Sequence, residues 1–261
     1  GWHPEIICAN ATMAIATTVA YAAACWTHGN AVEHFTVLND FWGNAFAADH
    51  WQWNARRLWN GFFPPGYPFI LTILPGARML ESAFNFNVLS GTALLLAVWL
   101  TVRHWAGAWV GVVAMVLVAV HPLMVTQTLT TGPDALFVLL AAVGGLLLFN
   151  AVALTVPNAV VAVLAGCALG GAGWLRYHGF PWAAALLCAA LLAGGLRRFR
   201  YVALAAAPIT LAGCGLLWLG LEAGDLQALQ RDQAFNTLTR LVEPPNWFHL
   251  PRPAELPASI G

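Results

Sequence analysis

The sequence predicts an all-α polytopic membrane protein, and three observations carry that expectation. Of 261 residues, 60% are hydrophobic and only 8% are charged, where a soluble domain carries about 25% charged residues. Apolar runs recur along the chain at about 20 residues, the length that crosses a bilayer as a helix. The few charges gather in short segments between those runs.

The first run covers residues 6–26. It is long enough to span and lacks an evident cleavage site, so a helix is expected there and not a signal peptide. A polar and aromatic segment follows, residues 27–66. The next apolar piece, 67–80, contains Pro75 and Gly76 and is expected to be re-entrant or interfacial. Six further runs follow at 84–102, 106–125, 135–154, 156–175, 180–196 and 201–221. Together with the first they make about seven transmembrane helices. The chain then divides into a membrane module, 1–221, whose first external loop spans 27–80, and a polar external tail, 222–261, with five prolines.

Orientation follows from arginine, since all eleven basic residues are arginines. Cytoplasmic loops collect basic residues. Arg197, Arg198 and Arg200 lie in one short loop, and Arg103 shares its side of the membrane. The segments around Asp134 and Arg176, and the first long loop, then fall outside. Net charge is zero, so a nucleic-acid partner has no electrostatic footprint. The five cysteines all sit in apolar runs and read as small hydrophobes, not as a disulfide framework.

Arg56 and Arg57 lie on the outer side, against the bias, inside the stretch DHWQWNARRLWNGFFPPGYP that opens at Asp49. Trp51, Ala55, Leu58, Trp59 and Phe62 fall on one helical face, which predicts an interfacial helix with tryptophans at headgroup depth. Arg56 and Arg57 would then meet lipid phosphates or a phosphorylated ligand. Asp49 caps that helix or serves a site. Asp134, after Thr130-Thr131-Gly132-Pro133, has the same two readings. Arg176, in Arg176-Tyr177-His178-Gly179, either snorkels or holds a phosphate. His121, before Pro122, reads as structural.

The order of these segments resembles the membrane glycosyltransferases of the GT-C fold, of the dolichyl-phosphate-mannose or polyprenyl-phosphate-sugar type. The layout is close to that of the protein mannosyltransferase and aminoarabinose transferase group, and this chain is shorter than those proteins usually are. The resemblance rests on Asp49, then Pro64-Pro65-Gly66-Tyr67-Pro68, then Asp134, then Leu175-Arg176-Tyr177-His178-Gly179. It implies transfer of a sugar from a polyprenyl-phosphate donor to an acceptor hydroxyl or amine at the outer face of a bacterial inner membrane. It also implies that Asp49 and Asp134 are the catalytic pair, with Asp40 the rival for the first position. Asp49 would activate or orient the acceptor, and Asp134 would shape the site. Arg176, Arg56, Arg57, Tyr67 and His178 are the substrate-binding candidates. No metal ligand is assigned, and a divalent metal is left open as a cofactor. A catalytic chain is expected to hold a lipid-accessible polar cavity. The alternative is a non-catalytic subunit that uses the same scaffold to pack against protein partners in a larger membrane complex.

Overall fold

In the computed structural model, which describes residues 4–31, 64–73, 79–153, 158–195 and 198–223, the apolar runs become helices. Among the described residues there are nine. They are α1 (Pro4–Ala31), α2 (Gly66–Ile73), α3 (Met79–Ala106), α4 (Ala108–Ala119), α5 (Pro122–Leu129), α6 (Asp134–Ala153), α7 (Ala159–Leu175), α8 (Gly179–Gly194) and α9 (Phe199–Ala223). Large apolar side chains such as Leu89, Leu117, Leu192 and Leu211 stand exposed. A helix that is apolar on all sides belongs in lipid or in the middle of a bundle. The chain is an all-α integral membrane protein.

Leu80–Ala106, Asp134–Val152 and Phe199–Leu219 are each long and apolar enough to cross a membrane. The pair α4 and α5 makes a fourth crossing if the two are one broken span. The run 106–125 reads as one uninterrupted span in the sequence, and here the structure corrects it. The two helices meet at 62°. His121 is extended, and its Nδ1 accepts the Leu123 N–H at 3.3 Å, capping α5. Pro122 follows as the first residue of α5, where its missing N–H costs no helical hydrogen bond. The break therefore comes from a proline and a capping histidine, not from any loss of hydrophobicity.

Small residues let the later helices approach closely. Ala151, Ala162, Ala165, Ala183, Ala190 and Ala205 are fully buried in one core cluster contributed by α6, α7, α8 and α9. Close backbone approach through small side chains is how helices associate in lipid, where no hydrophobic drive separates them from the solvent. Trp174 Nε1 donates to the Ala212 carbonyl at 2.8 Å, tying α7 to α9. Hydroxyls mid-helix bond to their own backbone: Ser90, Thr92, Thr101 and Thr210 each donate to the carbonyl four residues back. That satisfies them where water is absent.

The bundle has two chemically distinct ends. At one, Arg198 Nη1 donates to the Val152 carbonyl, joining the start of α9 to the end of α6. Arg103 lies 5.0 Å over the Trp99 ring at the end of α3. At the other end stand Tyr67, Asn87, Asp134 and Arg176, which belong to the site.

Candidate active site

The Pro64-Pro65-Gly66-Tyr67-Pro68 run opens α2, whose first described turn bond runs from the Phe69 N–H to the Pro65 carbonyl at 3.0 Å. Gly66 sits against the end of α7. A Cβ there would stand 2.6 Å from the Trp174 carbonyl oxygen, closer than real side chains come, so only glycine fits. This contact seats Tyr67. The ring is 1% exposed and belongs to a cluster with Leu71, Ala83, Leu136 and Leu175. Its hydroxyl has no hydrogen-bond partner among the described residues. Burial, and after it the charge of Asp134, holds that hydroxyl well above the usual tyrosine range. Tyr67 is therefore a neutral donor at any physiological pH.

Asp134 is the first residue of α6, and the Phe137 N–H bonds the Pro133 carbonyl at 2.8 Å. A carboxylate in the first turn complements the helix dipole. Arg176 follows the last residue of α7 in an extended conformation, and the Gly179 N–H returns to the Arg176 carbonyl at 2.8 Å. A Cβ on Gly179 would lie 2.6 Å from the Ala172 carbonyl carbon, so glycine permits the tight entry into α8. The turn carries the guanidinium to Asp134. Arg176 Nε donates to Asp134 Oδ1 at 2.7 Å, and Nη2 lies 2.7 Å from the same oxygen. Asp134 Oδ2 makes no hydrogen bond with another described residue. The two side chains keep 23–27% of their surface exposed, so the pair is sheltered and still reachable.

His178 stands two residues beyond Arg176 and lines a groove of about 830 Å³ between α3, α6 and α8. Val98, Trp105, Phe137, Phe149 and Trp182 also line it. The groove is apolar along its walls. The sequence leads one to expect a polar cavity. The difference arises because the walls are built from apolar side chains of three helices, and Asp134 and Arg176 do not line the groove.

Tyr67, Asp134, Arg176 and His178 thus share one end of the bundle, and Asp134 and Arg176 touch. Asp49, Arg56 and Arg57, with Asp40, lie outside the described residues. Among the described residues no three His, Cys, Asp or Glu side chains gather to hold a metal ion.

A second set of polar groups at this end is absent from the sequence reading as a site. Asn87, fully buried on α3, donates through Nδ2 to the Thr130 carbonyl. Thr131 is fully buried as well. Asn87 Oδ1, Thr131 Oγ1 and Gln127 Oε1 are buried without a partner among the described residues. Asn87 has a signal in the sequence, because an amide inside an apolar run is expensive and marks function by default.

These features belong to a membrane-embedded protein with a charged pair at one end of the bundle and an apolar groove that His178 lines. The family model for dolichyl-phosphate-mannose-protein mannosyltransferase matches residues 64–218, more than half of the chain. The chain belongs to that family. The matched region contains Tyr67, Asp134, Arg176 and His178, and Asp49, Arg56 and Arg57 precede it. No curated protein and no solved structure matches the chain. Glycosyl transfer from a polyprenyl-phosphate sugar is the chemistry of the family, carried out in a membrane.

Proposed function

We propose that the chain transfers a sugar from a polyprenyl-phosphate donor to an acceptor hydroxyl or amine at the outer face of a bacterial inner membrane. The observation that carries this reading is the Arg176–Asp134 pair, two residues along the chain from His178, which lines an apolar groove. The groove suits a prenyl chain. Arg176 suits the donor phosphate, because a guanidinium binds oxyanions through two parallel hydrogen bonds. Asp134 holds that guanidinium in place, and the Tyr67 hydroxyl supplies a neutral donor nearby.

The reaction then runs by displacement. The acceptor oxygen or nitrogen bonds to the anomeric carbon, and the bond from that carbon to the phosphate oxygen breaks. The electron pair leaves with the phosphate, which Arg176 stabilises, aided by Arg56 and Arg57. The acceptor proton goes to a carboxylate, assigned to Asp49. A site at headgroup depth explains why arginines stand on the outer side.

The test is sugar transfer in vesicles carrying the full chain and a panel of polyprenyl-phosphate sugars. Transfer by the parent chain, lost in Asp49→Asn with insertion unchanged, supports the reading. If the chain is silent with every donor while co-purifying stoichiometrically with a membrane complex, the non-catalytic role replaces it.

A further inference from the structure

The buried polar set on α3, α5 and the α5–α6 connection has no use in the mechanism above. Among the described residues, four side-chain atoms at this end are buried without a hydrogen-bond partner: Tyr67 Oη, Asn87 Oδ1, Gln127 Oε1 and Thr131 Oγ1. Asn87 and Thr131 are fully buried, and Tyr67 is 1% exposed. Native interiors leave few such atoms, and a group of them calls for a missing partner.

The orientation of Asn87 is decided by its own bond. Nδ2 donates to the Thr130 carbonyl, so Oδ1 is the end left over. Gln127 lies in the last turn of α5, and Thr131 follows two residues after the helix ends, beyond the extended Thr130. The Thr131 hydroxyl joins the Asn87 and Gln127 oxygens in a set that is rich in acceptors and uncharged. Such a set repels phosphate oxygens and suits a neutral ligand that brings several O–H donors. Thr131 lies three residues ahead of Asp134, which holds Arg176. Among the described residues nothing lies within 4 Å of where a Cβ on Gly132 would stand, so the backbone between Thr131 and Asp134 borders open space.

We propose that Asn87, Gln127 and Thr131 form the subsite that reads the hydroxyls of the donor's sugar ring. The inference rests on the transferase reading, since it takes the phosphate of that donor to lie at Arg176. The ring attached to the phosphate then enters the acceptor-rich set, and its hydroxyls donate to the amide oxygens. Thr131 adds one hydrogen bond, given or received. Specificity arises because a sugar without a hydroxyl in the right place leaves buried oxygens unpaired again.

The experiment is equilibrium binding to the full chain in nanodiscs, with dolichyl phosphate, dolichyl-phosphate mannose and dolichyl-phosphate glucose as probes. The quantity read is the gain in affinity from adding the sugar. Thr131→Val deletes the hydroxyl at constant shape, and Thr131→Ser retains it. In the parent chain at least one sugar lipid binds roughly five-fold or more tighter than dolichyl phosphate, the size of one or two neutral hydrogen bonds. Thr131→Val shrinks that gain several-fold, Thr131→Ser keeps most of it, and affinity for bare dolichyl phosphate is unchanged. The Thr131→Val melting temperature does not fall, because the lost hydroxyl has no partner among the described residues. Equal affinity for all three probes in the parent overturns the proposal. So does a gain that Thr131→Val leaves intact, and the oxygens then hold buried water only. A sugar-dependent gain in a chain that transfers nothing keeps the subsite and removes the enzyme; transfer without any gain does the reverse.

Discussion

Arg176 directs both Nε and Nη2 to a single oxygen of Asp134, each at 2.7 Å, across a separation of 42 residues. The pair joins the end of α7 to the start of α6. Both side chains are about three-quarters buried, so the interaction is screened less than a surface pair. A double-mutant cycle with Asp134→Asn and Arg176→Gln should give a coupling of about 1–2 kcal/mol in apparent stability. Thermal unfolding of the four purified chains checks this. Additive effects would mean that the pair contributes nothing to stability and that its value is functional alone.

Gly66 tests how α2 is placed. Gly66→Ala would set a methyl 2.6 Å from the Trp174 carbonyl oxygen. The contact is with backbone, which cannot step aside, so the substitution should cost about 1–3 kcal/mol. It should also displace Tyr67. Gly213→Ala is the control, since the nearest atom there is Phe180 Cε1 at 3.8 Å. A lower melting temperature for the first and an unchanged or higher one for the second is expected.

The Tyr67 hydroxyl is buried without a partner among the described residues, so Tyr67→Phe should leave stability unchanged or raise it slightly at neutral pH. Transfer should fall, because the hydroxyl's remaining use is with the substrate. The pH dependence follows from the raised pKa. Below about pH 10 the tyrosine is protonated in both folded and unfolded chains. Above it the unfolded chain loses the proton and the folded chain keeps it, so stability declines as pH rises. Melting curves from pH 8 to 11 should show a decline that is shallower in Tyr67→Phe.

The groove is tested by filling it. Ala142 is exposed and lines the space between α3, α6 and α8. Ala142→Trp should raise the KM for the lipid donor by about ten-fold, the equivalent of about 1.4 kcal/mol, and leave the melting temperature near the parent value. Initial rates against donor concentration check it. An unchanged donor KM would place the prenyl chain elsewhere.

The helices were legible because a continuous apolar run long enough to span has few alternatives in lipid. The bend at His121-Pro122 was not, since Val118, Val120 and Leu123 keep the run apolar through it. Asp134 and Arg176 stood out as charges at helix ends. Their contact depends on how α6 and α7 pack, which no spacing in the chain encodes. Asn87 was hidden for a related reason. A lone amide in a helix gains meaning only when its neighbours leave one of its atoms unpaired. The groove's apolar walls, too, were formed by faces of three helices that local sequence does not bring together.

The most direct measurement is the kinetic effect of Arg176→Gln, made together with Asp134→Asn so that no charge is left unpaired. Donor and acceptor concentrations are varied separately in the vesicle transfer assay. The account predicts a donor KM raised by at least ten-fold, the size of one charge-assisted hydrogen bond or more, with the acceptor KM unchanged. A donor KM that holds while the acceptor KM rises would contradict it, because Arg176 would then face the acceptor and not the lipid phosphate.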